Sequence, residues 1–143
     1  MTEPESHPPS GFLRRIAAGV YDGLLVLALL FLPTSIVMAF RGGAAIPPGS
    51  ALFQLLLLAT VACFFIGFWV HGGQTLGMRA WRLRVERRTG EPLTYGVGLI
   101  RFAVAIVSIA ALGLGFVWMV FDPQGLTWHD RAAGTRVVVI PKR

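Results

Sequence analysis

The sequence predicts an all-α membrane protein: two full transmembrane helices, a third apolar segment, and a small cytoplasmic β element. Three observations predict it. Apolar residues make up 55% of the 143 residues and charged ones only 14%, where a soluble domain carries about a quarter charged. Residues 16–40 and 51–70 are almost unbroken apolar runs, each matching or exceeding the ~20 residues that cross the hydrocarbon as a helix. Residues 71–96 then hold five arginines and no long apolar run, a polar layer ahead of the third apolar segment. The length suits one compact unit and does not suggest a separate soluble catalytic domain.

Net charge is +6, and all the basic residues but Lys142 are Arg. In a soluble chain this balance points to nucleic acid. In a membrane chain it points to cytoplasmic loops facing anionic lipid, so the bilayer is the expected partner and nucleic acid is not. The single Cys63 excludes an internal disulfide and reads as a small hydrophobe within an apolar run.

Residues 1–11, rich in Pro, Ser and acids, read as a disordered tail. The first span follows, with Arg14 and Arg15 at its edge and Asp22 inside it. An ionisable group at that depth costs ~2.5–3.5 kcal/mol on insertion scales and calls for a partner or a wet cavity. Pro33 predicts a kink. Gly19 and Gly23 form a small-xxx-small pair suited to close helix approach. Val37, Met38 and Ala39 resemble a signal-peptide cleavage site, but the run is too long and Asp22 interrupts it, so the helix is expected to stay as an anchor.

Residues 41–50 are a Gly- and Pro-rich loop. The second span, 51–70, carries Gln54 near its start and ends in Phe68 and Trp69, suited to an interfacial aromatic belt. Beyond it, Thr75 is placed to begin a short helix. Trp81, Leu83 and Val85 alternate with Arg82, Arg84 and Glu86, the period of a strand, and Thr89-Gly90 supplies a turn. His71 has no Cys, His or acid at ligand spacing, so no metal is expected. Thr94 caps the third apolar segment, which holds Arg101 near its start. Residues 137–140, VVVI, read as a second strand.

The positive-inside rule places residues 71–96 in the cytoplasm, and the N-terminus with them. A straight third span would put Arg131, Arg136, Lys142 and Arg143 outside, against the rule. Residues 97–121 are too short for two full crossings. A broken hairpin turning near Gly113 and Gly115 removes the conflict and lets strand 137–140 meet strand 82–86. A straight single span is the rival.

Arg15-x-Ala17-Ala18-x-x-x-Asp22, the run Gly73-Gln74-Thr75-Leu76-Gly77-Met78-Arg79, Arg101, Asp122-Pro123-Gln124 and His129-Asp130-Arg131-x-Ala133-Gly134-Thr135 together resemble the motifs of the RDD family. These are small bacterial integral membrane proteins. The resemblance covers all but the tail and makes 12–143 one RDD-like membrane domain. It implies a multi-pass protein of the bacterial inner membrane and singles out Gly73, Gln74, Thr75, Gly77, His129, Gly134 and Thr135 as motif residues. The family's proposed role is ion or solute transport.

Two functions follow. One is a carrier of cations, protons or small solutes that uses Asp22. Asp22 lies seven residues past Arg15 and Arg101 seven past Thr94. Both should sit ~10 Å inside the cytoplasmic edge at ~1.5 Å per residue, and an ion pair between them is expected. So few spans would need a homo-oligomer or a membrane partner. The alternative is a non-catalytic scaffold or accessory module in which Arg15, Asp22, Arg101 and Asp130 are structural ion pairs. No enzyme activity and no cofactor are expected. There is no nucleophile elbow, paired-His zinc site or phosphate-cradling loop, and His129-Asp130 reads as a turn or helix cap rather than an acid–base pair.

Overall fold

A computed structural model describes residues 7–142. Six helices and two strands follow in the order α1 (Phe12–Phe40), α2 (Ala51–Val70), α3 (Leu76–Ala80), β1 (Leu83–Arg87), α4 (Tyr95–Ala110), α5 (Leu114–Phe121), α6 (Trp128–Ala133) and β2 (Thr135–Val139). Helices α1 and α2, of 29 and 20 residues, are long and apolar enough to cross a membrane. They are apolar all round rather than amphipathic, and side chains such as Leu24, Leu27, Phe31, Leu52 and Leu55 are exposed, as bilayer-facing surface requires. Helix α1 continues past Pro33 to Phe40, and the Thr34 hydroxyl donates to the Leu30 carbonyl at 2.7 Å.

The third apolar segment is not a straight span. Helices α4 and α5 meet at 97° across a break at Ala111–Gly113. The chain turns through two left-handed residues, Leu112 at φ 58° and Gly113 at φ 77°. Glycine takes that conformation freely. The next glycine makes the bend tight: a Cβ on Gly115 would lie 2.2 Å from Ser108 Oγ. The break falls where Gly113 and Gly115 predict it, but the second piece turns off at a right angle rather than running back.

Thr75 and Thr94 begin α3 and α4, accepting from Met78 N and Val97 N, as N-cap residues do. Strands β1 and β2 pair antiparallel, with Leu83 opposite Val139 and Val85 opposite Val137. Both strands differ in bounds from the expected 82–86 and 137–140. Arg82 has φ 57° and belongs to the turn before β1, while β2 starts directly after the left-handed Gly134. Neither ribbon edge is bare. Gly73 O and the Gln74 side chain meet β1 at Val85 N and Leu83 O, at 2.7 and 2.6 Å.

Along β2, Val139 N donates to Pro8 O and Ser10 N to Val137 O at 3.0 and 3.1 Å. Part of the tail expected to be disordered, residues 1–6, lies outside the described residues; Pro8–Ser10 are instead an added edge against β2. Pro9 tolerates this because an edge position leaves its missing N–H unneeded. The core lies between this ribbon and the near ends of the helices. It contains Ala18, Trp69, Leu83, Val85, Phe102 and Val137.

Candidate functional site

Arg15, Asp22, Arg101 and Asp130 lie at the ribbon end of the helices, whereas Arg41 caps the far end of α1. Arg15, Arg101 and Asp130 form one cluster, and Asp22 lies in a second with uncharged partners.

Asp130 is the hub of the first. Thr127 caps α6 in a reciprocal box: its hydroxyl accepts from Asp130 N, and Asp130 Oδ2 accepts from Thr127 N, both at 3.3 Å. That box fixes the carboxylate, which then receives two arginines from distant helices. Arg15 Nη1 donates to Oδ2 at 2.6 Å, and Arg101 Nη1 donates to Oδ1. Arg101 also donates to Thr135 Oγ1 at 2.7 Å, and Arg15 Nε to Ser10 Oγ at 2.7 Å. The Arg101 guanidinium lies 4.9 Å from the centre of the Trp69 ring, within cation–π range. Arg101 is 2% exposed and Asp130 fully buried.

Burial alone would raise the Asp130 carboxyl. The two arginines reverse this and hold it well below the usual carboxylate range. His129 is buried beside Phe116, ring centres 4.9 Å apart. Burial pushes its imidazole down to about 3, with Arg101 adding to the effect, so it is neutral near neutral pH. On the outer side Asp122 accepts from Leu126 N at 2.9 Å and from Arg131. The Leu126 N–H, then Arg131, hold its carboxyl below the usual range against burial.

Asp22 forms the second cluster, and its partners are not the expected ones. No ion pair joins it to Arg101 among the described residues. Asp22 Oδ2 accepts from the Thr75 hydroxyl, and Oδ1 accepts from Gly77 N at 2.8 Å. Asp22 thus docks the start of α3 onto α1. Gly77 makes the contact possible: a Cβ there would lie 2.3 Å from Ala18 O and 2.9 Å from Asp22 Cγ. Matched depth along two helices does not fix which way each side chain points. Arg101 turns toward α6 and Asp22 toward α3.

Both residues nevertheless line one cavity of about 350 Å³ among α1, α2 and α4. Its walls are otherwise largely apolar. Gly19 and Gly23 line it too, and a Cβ on either would meet nothing within 4 Å. They leave open space beside Asp22 rather than a close helix contact. Trp69, expected in an interfacial belt, is 6% exposed; its ring covers Arg101 instead.

Among the motif residues, Gly73, Gln74, Thr75 and Gly77 build the α1–α3–β1 junction. His129, Gly134 and Thr135 build the α6–β2 corner with Asp130. Arg15, Arg101 and Asp130 come together, and Asp22 stands apart. Sequence reasoning missed Ser10, Thr127 and the role of Trp69. Thr127 had a readable signal, a Thr three residues before an acid. Ser10 had none.

No solved structure matches the chain. The uncharacterized protein YxaI of Bacillus subtilis (strain 168) is 27% identical over 150 residues, covering 91% of this chain and 97% of that protein. The model of the RDD family matches residues 9–134, a span that holds Arg15, Asp22, Arg101 and Asp130 and stops one residue short of Thr135. This membrane protein, with Arg15, Asp22, Arg101 and Asp130 at the ribbon end of its helices, belongs to the RDD family.

Proposed function

We propose that the chain is a non-catalytic scaffold or accessory module of the bacterial inner membrane, with its charged residues acting as structural locks. One observation carries this reading: each of the four charges has a partner within the chain, although Arg101 Nε is buried without one among the described residues. Asp130 takes Arg15 and Arg101, and Asp22 takes the Thr75 hydroxyl and the Gly77 N–H. Intramembrane charges that are paired this way hold elements together. The protein crosses the membrane more than once, with its N-terminus and the Arg-rich ribbon layer in the cytoplasm. The exposed apolar faces of α1 and α2 meet lipid and a second copy or a membrane partner. The reading includes no enzyme activity, and it is supported by Asp130, whose carboxylate is taken up by the Thr127 cap and two arginines.

A carrier of cations, protons or small solutes is the second reading. It is favoured by the cavity of about 350 Å³ that Asp22 and Arg101 share. Reconstituted protein in liposomes with a pH-sensitive dye decides between them. The scaffold reading expects no flux driven by Na⁺ or K⁺ gradients, and any defect in Asp22→Asn should track loss of folded protein. Gradient-driven flux that a folded Asp22→Asn abolishes overturns it in favour of the carrier.

A further inference from the structure

A second pocket, of about 450 Å³, lies on the ribbon side; Trp69, whose ring covers Arg101, lines both it and the first cavity. Arg84, Arg87 and Arg136 line it together with Glu86 and Glu91. Glu91 pairs with Arg87 at 2.6 Å, and Glu86 reaches Arg136 only at 3.5 Å. Arg84 has no acid within ion-pair distance among the described residues. The Nε atoms of all three arginines are buried without a hydrogen-bond partner among those residues. Three arginines against two glutamates leave the pocket with an excess positive charge.

Arg84 is also held in place. A Cβ on Gly73 would lie 3.1 Å from Arg84 Cγ and 2.7 Å from Val85 O, so the Arg84 stem rests on the Gly73 backbone. An arginine fixed by packing loses less freedom when it binds. The pocket's other wall holds Val70, the last residue of α2, and Leu93, just before α4. Apolar helix gives way to arginine there, the level of lipid headgroups. The apolar wall leads onto α4, where Tyr95 and Leu99 are exposed.

We propose that this pocket binds the phosphate of an anionic phospholipid, with the Arg84 guanidinium as its main donor and the acyl chains along α4. A guanidinium fork matches phosphate oxygens. The adjoining apolar surface favours a lipid over a free phosphate. The inference rests on the membrane character of the chain alone and is independent of the choice between scaffold and carrier.

Native mass spectrometry of the full chain in detergent tests it, with phosphatidylglycerol and phosphatidylcholine titrated in parallel. Phosphatidylglycerol should bind and phosphatidylcholine should not displace it. Arg84→Gln should weaken phosphatidylglycerol about tenfold, the loss of a charge-assisted hydrogen bond to the phosphate. Arg88→Gln, the same charge change outside the pocket, should leave binding unchanged, and Glu86→Gln should tighten it. Equal weakening by the two arginine variants would mean diffuse attraction and overturn the site. Displacement of the lipid by inorganic phosphate at matched concentration would make it a free-phosphate site and overturn the lipid. Should Arg84→Gln fail to fold, a Glu86→Gln protein that binds phosphatidylglycerol no more tightly than wild type overturns the proposal.

Discussion

Arg101 on α4 and Asp130 on α6 form an ion pair in which neither side chain is more than 2% exposed. Arg15 reaches the same carboxylate from α1 at 2.6 Å. One acid therefore holds two basic groups and three helices together.

Removing one member of this cluster leaves the others charged and buried. Breaking a buried pair costs about 3–5 kcal/mol. Asp130→Asn should destabilise most, because it strands two arginines. The Arg101→Gln/Asp130→Asn double variant should lose less than the sum of the two single losses. Thermal melts in detergent measure this, and strictly additive losses would show that the pair is not coupled.

His129 makes stability depend on pH. Its folded value, about 3, lies below the ordinary 6.5. Between those values the unfolded chain binds a proton that the folded one refuses, so stability is full above 6.5 and falls as pH drops toward 3. Asp130 adds to the loss only at lower pH, since its depressed carboxyl contributes stability that is present above the ordinary carboxylate range. The melting temperature of wild type should decline from pH 7 to pH 4.5, and His129→Gln should decline less. Parallel curves would exclude His129 as the source.

Gly77 should respond to substitution in the opposite way to Gly19 and Gly23. Gly77→Ala places a methyl 2.3 Å from Ala18 O, which forces α3 off α1 and weakens both Asp22 contacts. Overpacking of this kind costs about 1–3 kcal/mol. Gly19→Ala and Gly23→Ala meet nothing within 4 Å and gain up to about 1 kcal/mol of helix propensity. Melting of the three variants checks the order; a Gly19→Ala as damaging as Gly77→Ala would contradict the open space beside Asp22.

The proposed topology puts both ends of the domain in the cytoplasm. The ribbon ties Pro8–Ser10 to β2, so both must lie on one side of the bilayer. A reporter active only outside the cytoplasm, fused at either end, should stay silent. Activity at the C-terminal fusion alone would break the shared-side arrangement.

Much of this architecture was legible because hydropathy and period are local signals. The two long runs gave α1 and α2, the alternation around Leu83 and Val85 gave β1, and Thr75 and Thr94 marked helix starts. Long-range choices were less legible. Depth counting matched Asp22 with Arg101, but depth carries no rotational information, and the true partner of Arg101 lies 29 positions away. The small-xxx-small pattern of Gly19 and Gly23 does not distinguish a tight interface from an empty one. Pro8–Ser10 have no strand pattern, because an edge of three residues with two prolines needs none.

The pairing of Arg15 with Asp130 spans 115 positions, and the edge formed by Ser10 on Val137 spans 127. A ribosome delivers Arg15 and Arg101 well before Asp130 exists. During synthesis and insertion both arginines must be kept hydrated, screened by headgroups, or shielded by the insertion machinery. Contacts of such separation form late, because loop closure precedes their reward. The polar layer is thus assembled after translation of the last span, and a nascent chain halted before α6 would carry Arg15 and Arg101 without Asp130, the acid that receives both in the folded chain.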